Sequence, residues 1–287
     1  HKTVPYFQPN CPSTILLYFI GGLYMFDKYD EFKKDVLKLT KIDLNFYKEK
    51  QMRRRIDTLA NKNGASSYAE YTDMLKKDKT KFEQFVNFLT INVSEFYRNT
   101  DQWKLMDEQT IPKLLKEQRK PIKIWSAACS TGDEPYSLAM AFSKHVPLSD
   151  IRILATDIDK KVIEHAKVGL YSEKSIANVP DDLKKKYFTK IGSSYQIADE
   201  IKRCVTFKEH NLLKDTYPTD YDLILCRNVV IYFTDDAKDM IYDKFYKSLK
   251  NHGVLFIGST EQITNYREIG FKRMSSFYFE KDLDNPQ

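Results

Sequence analysis

Apolar and polar positions along this chain change rhythm near residue 120. Before it, the segments 31–39, 46–64, 67–77 and 81–93 carry apolar residues at three- and four-residue spacing, without strand-like alternation. That pattern predicts amphipathic helices joined by short loops. In the second segment Met52, Ile56 and Leu59 form one stripe, with Gly64 placed to end the helix. The stretch 99–121 predicts a helix broken near Pro112, and Pro121 marks the entry to a first strand.

Beyond residue 120, short apolar runs alternate with helical patterns: IKIWSA, RILATD, VTFKE, YDLILC and GVLFIG. Runs of this kind, separated by helices, predict a mostly parallel sheet buried on both faces. The segment 169–205 departs from the pattern, with short runs and turns at 178–181 and 192–194, and is predicted as an insertion between two sheet strands.

The first run leads into ACSTGDEPY, and the second ends on Asp157, twenty-five residues past Gly132. A chain turning off a buried parallel strand needs small residues where a ligand meets the backbone, and a carboxylate ending the next strand can accept both hydroxyls of a ribose. Gly132 and Asp157 fit these two places. The turn is not the G-x-G-x-x-G of dinucleotide enzymes, because Asp133 and Glu134 follow the glycine and would repel a pyrophosphate. A cofactor with a ribose, no phosphate and positive charge suits it better, and S-adenosylmethionine meets that description. A plain strand–helix unit with an acidic helix start is the alternative, since acids are favoured there in any case. Further on, Arg227 and Asn228 follow a buried strand carrying Leu223, Ile224 and Leu225, and Asn211 lies just beyond the strand of VTFKE, both at the edge where an open α/β sheet binds ligands.

Composition narrows the class. The chain has 287 residues with 42% hydrophobic and 30% charged, enough for one large domain and a small one. The basic excess behind the formal net charge of +6 lies in residues 25–120, while 121–287 is balanced. Cys11, Cys129, Cys204 and Cys226 lack metal-binding spacing, which points away from zinc and a disulfide framework and towards the cytoplasm. The apolar stretch 14–26 is too short to cross a bilayer, which takes roughly 20 residues, and lacks a signal-peptide cleavage site. With His1 at the start and Met25 just before the helical pattern, residues 1–24 read as a non-native or upstream extension, the alternative being a docking segment.

Taken together, ACSTGDEPYS, NLL, CRNVVIYF, GSTE and the earlier INVSEFYR resemble the CheR family, the S-adenosylmethionine-dependent protein-glutamate methyltransferases of bacterial chemotaxis. The resemblance runs from about Tyr29 to Phe279. It implies an α/β fold: a Rossmann-like class I methyltransferase domain (121–287) with a small antiparallel β-subdomain insertion (169–205), preceded by a small all-α domain (25–98) and a linker helix (99–120). It implies S-adenosylmethionine as cofactor, S-adenosylhomocysteine as product and no metal. Glu134 would hold the methionine end of the cofactor, Asp157 the ribose, and Asn211 with Leu212 the adenine. Arg227 and Asn228 would line the pocket near the sulfur, and Asn92, Ser94 and Arg98 would reach over from the helical domain. The family often has Thr where this chain has Ser94, which keeps the hydroxyl.

A glutamate side chain has a pKa of about 4.3 and is ionised near neutral pH, so transfer to it needs no general base. His145, His165, His210 and His252 are accordingly read as surface or structural residues. Arg98 and Tyr232 are the expected catalytic pair, the first fixing the incoming carboxylate and the second steering the methyl or the acceptor oxygen. Arg98 could instead bind the cofactor carboxylate, and Tyr232 could be a packing aromatic. Lys50, Arg53 and Arg54 are the expected docking residues for acidic receptor helices, against the plainer reading of a solvated basic face.

The expected partner is the cytoplasmic domain of a chemoreceptor, met by a monomer that does not insert into the membrane or bind nucleic acid. A cytosine methyltransferase would need a Pro-Cys loop, and amino-methylating nucleic-acid enzymes an Asn/Asp-Pro-Pro-aromatic segment where Cys226-Arg227-Asn228-Val229 stands. The short turn IGSSYQ suggests a member that needs no receptor tether. Two rivals stay open: a small-molecule methyltransferase on the same fold, and a cofactor-sensing binding module without turnover.

Overall fold

The computed structural model describes residues 26–91 and 93–283, so the extension 1–24, Cys11 and Asn92 lie outside the described residues. Four helices come first: α1 (Tyr29–Thr40), α2 (Glu49–Lys62), α3 (Tyr68–Lys77) and α4 (Lys79–Thr90). Their apolar stripes meet in an aromatic core in which Phe32 stacks on Tyr68 and Phe85 meets both Phe32 and Tyr71 edge-on. Side-chain caps start two of them. Ser67 accepts from the Glu70 N–H, and Asp78 accepts from the N–H groups of Thr80 and Lys81.

The expected break near Pro112 is gentler than predicted. Helices α5 (Thr100–Leu105) and α6 (Ile111–Glu117) are joined by one widened, π-helical stretch, Met106–Thr110. Proline has no N–H to donate back, and the wider turn carries the helix past it instead of ending it.

The sheet strands are β1 (Ile122–Ala127), β2 (Ile151–Asp157), β6 (Val205–Glu209), β7 (Tyr221–Cys226), β8 (Leu249–Ile257), β9 (Phe271–Arg273) and β10 (Tyr278–Lys281). Their order is β6-β2-β1-β7-β8-β10-β9. The first five run parallel, while β10 is antiparallel to both β8 and β9. Alternate residues of the central strands enter different cores, which explains why the runs are continuously apolar. Trp125, Ile224 and Leu255 join one core, shared with the helical bundle, and Ile124, Leu225 and Phe256 join the other. The helices beside the sheet are α7 (Asp133–Phe142), α8 (Lys160–Val168), α10 (Asp199–Lys202), α11 (Asp235–Ser248) and α12 (Tyr266–Ile269).

Between β2 and β6 the chain makes a second, antiparallel sheet of β3 (Leu170–Ser172), β5 (Ser194–Ile197) and β4 (Phe188–Ile191), in that order, with α9 (Asp181–Tyr187) leading into β4. Among the described residues no helix is long and apolar enough to cross a membrane.

Candidate active site

Strand order reverses at β1, with β2 on one side and β7 on the other, so a crevice opens beyond their carboxyl ends. A cavity of about 380 Å³ occupies that position. Its wall combines loops after five strands with the end of α4, the residue Tyr47, and the segment carrying Val93 and Arg98.

The loop after β1 is shaped by left-handed backbone at Ala128 and Ser130, and Ala128 and Ser130 are its cavity-facing residues. The Cys129 N–H donates to the Thr156 carbonyl, tying this loop to the end of β2. Gly132 does a different job from the one expected of it. It is also left-handed, but a Cβ there would come within 2.8 Å of the Ala166 Cβ, so its smallness serves the packing of α7 against α8 and not a ligand.

Asp157 lines the cavity and is 6% exposed. Each of its oxygens accepts a backbone N–H, from Asp159 at 3.0 Å and from Ser130 at 2.9 Å, which fixes the carboxyl group and leaves lone pairs for a ligand. Burial pushes its pKa up to about 6, against the lowering effect of those N–H groups. Asn211, Leu212, Arg227, Asn228, Arg98 and Tyr232 line the same cavity.

The two acids after Gly132 are held by contacts within the protein. Asp133 is buried, accepts from the Thr131 hydroxyl at 2.5 Å, and is held by the hydroxyl of Ser94. Glu134 accepts from the Ser126 hydroxyl at 2.8 Å and pairs with Arg227 at 3.4 Å. Burial raises the pKa of both. Asp133, Glu134 and Ser94 stand just behind the residues that line this cavity, linked to it through Arg227 and the loop after β1.

Arg227 acts as a clamp behind the wall as well as part of it. Its guanidinium donates to the Arg98 carbonyl and to Gln102 Oε1, both at 2.8 Å, and lies 4.6 Å from the Phe256 ring centre. The Arg98 side chain itself donates to the Val93 carbonyl at 3.1 Å.

Residues not singled out from the sequence complete the site. Tyr47 is a buried wall residue whose phenol is held neutral by burial and by the nearby Asp157. His210, read from the sequence as a surface or structural residue, is buried and lines the cavity; burial lowers its pKa, and it packs edge-on against Trp125. Glu261 is 3% exposed and gathers four backbone N–H groups, from Gly258 at 2.6 Å, Asn228 at 3.0 Å, Val229 at 2.9 Å and Val230 at 3.0 Å. It thereby shapes the loop between Asn228, which is left-handed, and Tyr232. The signal for it was the GSTE segment, where Gly258 leaves room for the carboxylate: a Cβ there would sit 2.7 Å from it.

The cavity suits a nucleoside carrying an amino-acid tail. Ser130 Oγ, His210 Nε2 and Asn228 Oδ1 are buried polar atoms of wall residues with no partner among the described residues, and Ile158, Leu212 and Leu213 supply apolar surface. Cys129 and Cys226 are free and buried, burial raises both thiols, and neither is in the wall. A cluster of Glu117, His252 and Glu280 has metal-ligand spacing, but Lys113 already pairs with both of its carboxylates.

The cations of α2 divide. Lys50 and Arg54 are exposed. Arg53 is partly buried, donating to the Phe26 carbonyl at 2.6 Å over the Tyr29 ring. Arg55 instead lies between the Phe88 and Tyr232 rings and, with Gln51 and Arg54, borders a cavity of about 520 Å³ next to Tyr232.

Comparison with known proteins gives concordant matches. The family described as "CheR methyltransferase, SAM binding domain" matches residues 92–278, and "CheR methyltransferase, all-alpha domain" matches residues 27–90. The "Chemotaxis protein methyltransferase" of Listeria innocua is 39% identical over 258 residues, covering 88% of this chain and 98% of that protein. The protein of the same name from Listeria monocytogenes is 38% identical over the same shares. That of Borreliella burgdorferi is 31% identical over 243 residues, 80% of this chain and 86% of that protein.

Proposed function

The chain belongs to the CheR methyltransferase family, and on that premise we propose that it methylates glutamate side chains of chemoreceptor cytoplasmic helices, with Arg98 and Tyr232 at the acceptor. It is an S-adenosylmethionine-dependent methyltransferase of chemotaxis. The observation that carries the finer reading is that Arg98 and Tyr232, far apart in sequence, border one cavity with Asp157.

When bound, S-adenosylmethionine supplies an electrophilic methyl group on a sulfonium. Asp157 would hold its ribose, while Asn211, Leu212 and the neutral His210 would face the adenine. Asn228 and Arg227 would stand near the sulfur. Glu134 and Ser94 would act at one remove, Glu134 by orienting Arg227 and Ser94 by holding Asp133. Asn92 belongs to the same proposal.

The acceptor glutamate arrives already ionised, so the protein has no proton to remove. Arg98 would draw the carboxylate in and orient it, and the Tyr232 hydroxyl would align the attacking oxygen. Water exclusion matters as much, because opposite charges approach each other and a hydrated carboxylate is a weaker nucleophile. Lys50, Arg54 and Arg55 would present a basic approach for an acidic helix, which suits a protein substrate encountered by a monomer in the cytoplasm.

The test is transfer of labelled methyl from S-adenosylmethionine to receptor cytoplasmic fragments, scored as base-labile methyl. Arg98→Ala and Tyr232→Phe should each lower kcat at least tenfold and change S-adenosylhomocysteine affinity less than threefold. A parallel loss in both would return that residue to cofactor binding alone.

A further inference from the structure

The all-α domain reaches the cavity at two places, the end of α4 and Tyr47. The chemistry of methyl transfer leaves Tyr47 without a task, although its place is fixed by neighbours that ask nothing of its hydroxyl. Its backbone N–H closes the short turn Leu44–Phe46 by donating to the Leu44 carbonyl at 3.1 Å, and its ring meets Phe233 edge-on with centres 4.9 Å apart. The residue is 8% exposed. Among the described residues its hydroxyl has no hydrogen-bond partner, yet it is not sealed inside the protein as the hydroxyls of Tyr97 and Tyr242 are. A buried phenol that keeps its polar end unspent in a cavity wall is placed to meet a ligand.

What it can meet follows from Asp157. The two stand close enough for the carboxylate to oppose ionisation of the phenol, in addition to the larger effect of burial, so Tyr47 is a neutral O–H donor. A ribose hydroxyl has one proton to give and two lone pairs that accept. Ionised Asp157 takes protons only, and the N–H groups of Ser130 and Asp159 beside it are spent on its own oxygens. The oxygens of a ribose held there are therefore left in need of a donor. Thr90, in the same wall, turns its hydroxyl to the Val86 and Asn87 carbonyls, and Ser130 Oγ is enclosed by protein. The Tyr47 hydroxyl meets the need.

We propose that Tyr47 is a cofactor-binding residue contributed by the all-α domain, its hydroxyl donating to a ribose hydroxyl whose proton is held by Asp157. The inference rests on the reading of Asp157 as the ribose ligand and deepens it. The ribose is then read by both domains, and cofactor or product binding ties the all-α domain to the sheet domain.

The experiment is calorimetry on the full-length protein with S-adenosylhomocysteine and its 2′-deoxy and 3′-deoxy analogues, for wild type, Tyr47→Phe and Asp157→Asn. Phenylalanine keeps the ring against Phe233 and removes only the unpartnered oxygen, so the fold is retained. Tyr47→Phe should bind S-adenosylhomocysteine about three- to tenfold more weakly, the worth of one net hydrogen bond. For one of the two deoxy analogues, wild type and Tyr47→Phe should bind alike, because the hydroxyl that the phenol would meet is already gone. If Tyr47→Phe binds S-adenosylhomocysteine as tightly as wild type, or suffers the full wild-type penalty with both deoxy analogues, Tyr47 is not on the ribose while Asp157 stands. If wild type is indifferent to the loss of either hydroxyl, or Asp157→Asn binds as wild type does, Asp157 is not the ribose ligand and the assignment of Tyr47 falls with it.

Discussion

The backbone N–H of Lys48 donates to the carbonyl of Tyr232 at 2.9 Å. Two residues away the Thr234 N–H donates to the Phe46 carbonyl, also at 2.9 Å, and between these bonds the Tyr47 and Phe233 rings meet edge-on. This short antiparallel bridge joins the start of α2 to the segment that carries Tyr232. The helix proposed to meet the receptor and the tyrosine proposed to act on it are thus held by one element.

That bridge can be weakened selectively. Lys48 has φ −60° and follows an extended Tyr47, a backbone that proline adopts without strain, so Lys48→Pro removes the N–H and little else. The expected result is a several-fold fall in kcat on receptor fragments, a loss of stability near 1 kcal/mol, and unchanged cofactor affinity. Lys48→Ala, which keeps the N–H, should behave as wild type. Equal losses in both variants would assign the effect to the lysine side chain.

Cofactor binding should depend on pH through Asp157. With its pKa pushed up to about 6, the carboxyl group of the free protein is ionised at pH 7.5 and protonated below 6. Ribose hydroxyls donate best to the carboxylate, so binding favours the ionised form. Affinity for S-adenosylhomocysteine is then fully present about a unit or more above pH 6 and falls as the pH drops through that value. Asp157→Asn should bind one to two decades more weakly at pH 7.5, the equivalent of about 1.5–3 kcal/mol, with little pH dependence between 5 and 7.5. Calorimetry across that range checks both statements, and a wild-type profile flat through pH 6 contradicts them.

The frame of this fold was legible because burial on both sheet faces writes uninterrupted apolar runs, and because strand ends with polar residues mark the ligand edge of an α/β sheet. What stayed hidden was set by partners distant in sequence. Asp133 and Glu134 read as acids for a cationic ligand, but the sequence could not show that Ser94, Ser126 and Arg227 are their partners. Arg53 and Arg55 differ by two positions on one helix, and their fates are decided by carbonyls at Phe26 and Phe88, which no helical wheel contains. The GSTE segment marked Glu261, but its role stayed hidden for a related reason: it depends on N–H groups more than thirty residues upstream.

Glu261→Gln tests that last role. Each carboxylate oxygen takes two N–H groups, so the amide nitrogen of glutamine would face two donors in place of an acceptor. Unsatisfied buried groups cost about 1–3 kcal/mol each, and a loss of 2–4 kcal/mol would lower Tm by roughly 5–15 °C in a chain of this size. Because Asn228 and Tyr232 flank the same loop, cofactor affinity and kcat should fall together in the fraction that remains folded. A variant with wild-type kinetics and a lowered Tm would confine Glu261 to stability.

The arginines of α2 should separate by what they touch. Arg53→Ala breaks the bond to the Phe26 carbonyl and the contact over Tyr29, so it should cost about 1–2 kcal/mol of stability and leave the KM for receptor near the wild-type value. Arg54→Glu, on the exposed face, should raise that KM several-fold at low salt, since rim charges act through encounter and are screened as ionic strength rises. Its deficit relative to wild type should therefore shrink in 0.5 M salt. Arg55→Ala should lower kcat more than it raises KM, because the guanidinium packs over the Tyr232 ring at 5.7 Å and is hydrogen-bonded to the Phe88 carbonyl at 3.0 Å. Receptor kinetics for the three variants at two salt concentrations, with thermal melts beside them, give the comparison. If Arg54→Glu and wild type are indistinguishable at low salt, the outer face of α2 is only solvated and acidic helices must be met elsewhere; if Arg53→Ala raises KM with no loss of stability, the buried arginine is the docking residue after all.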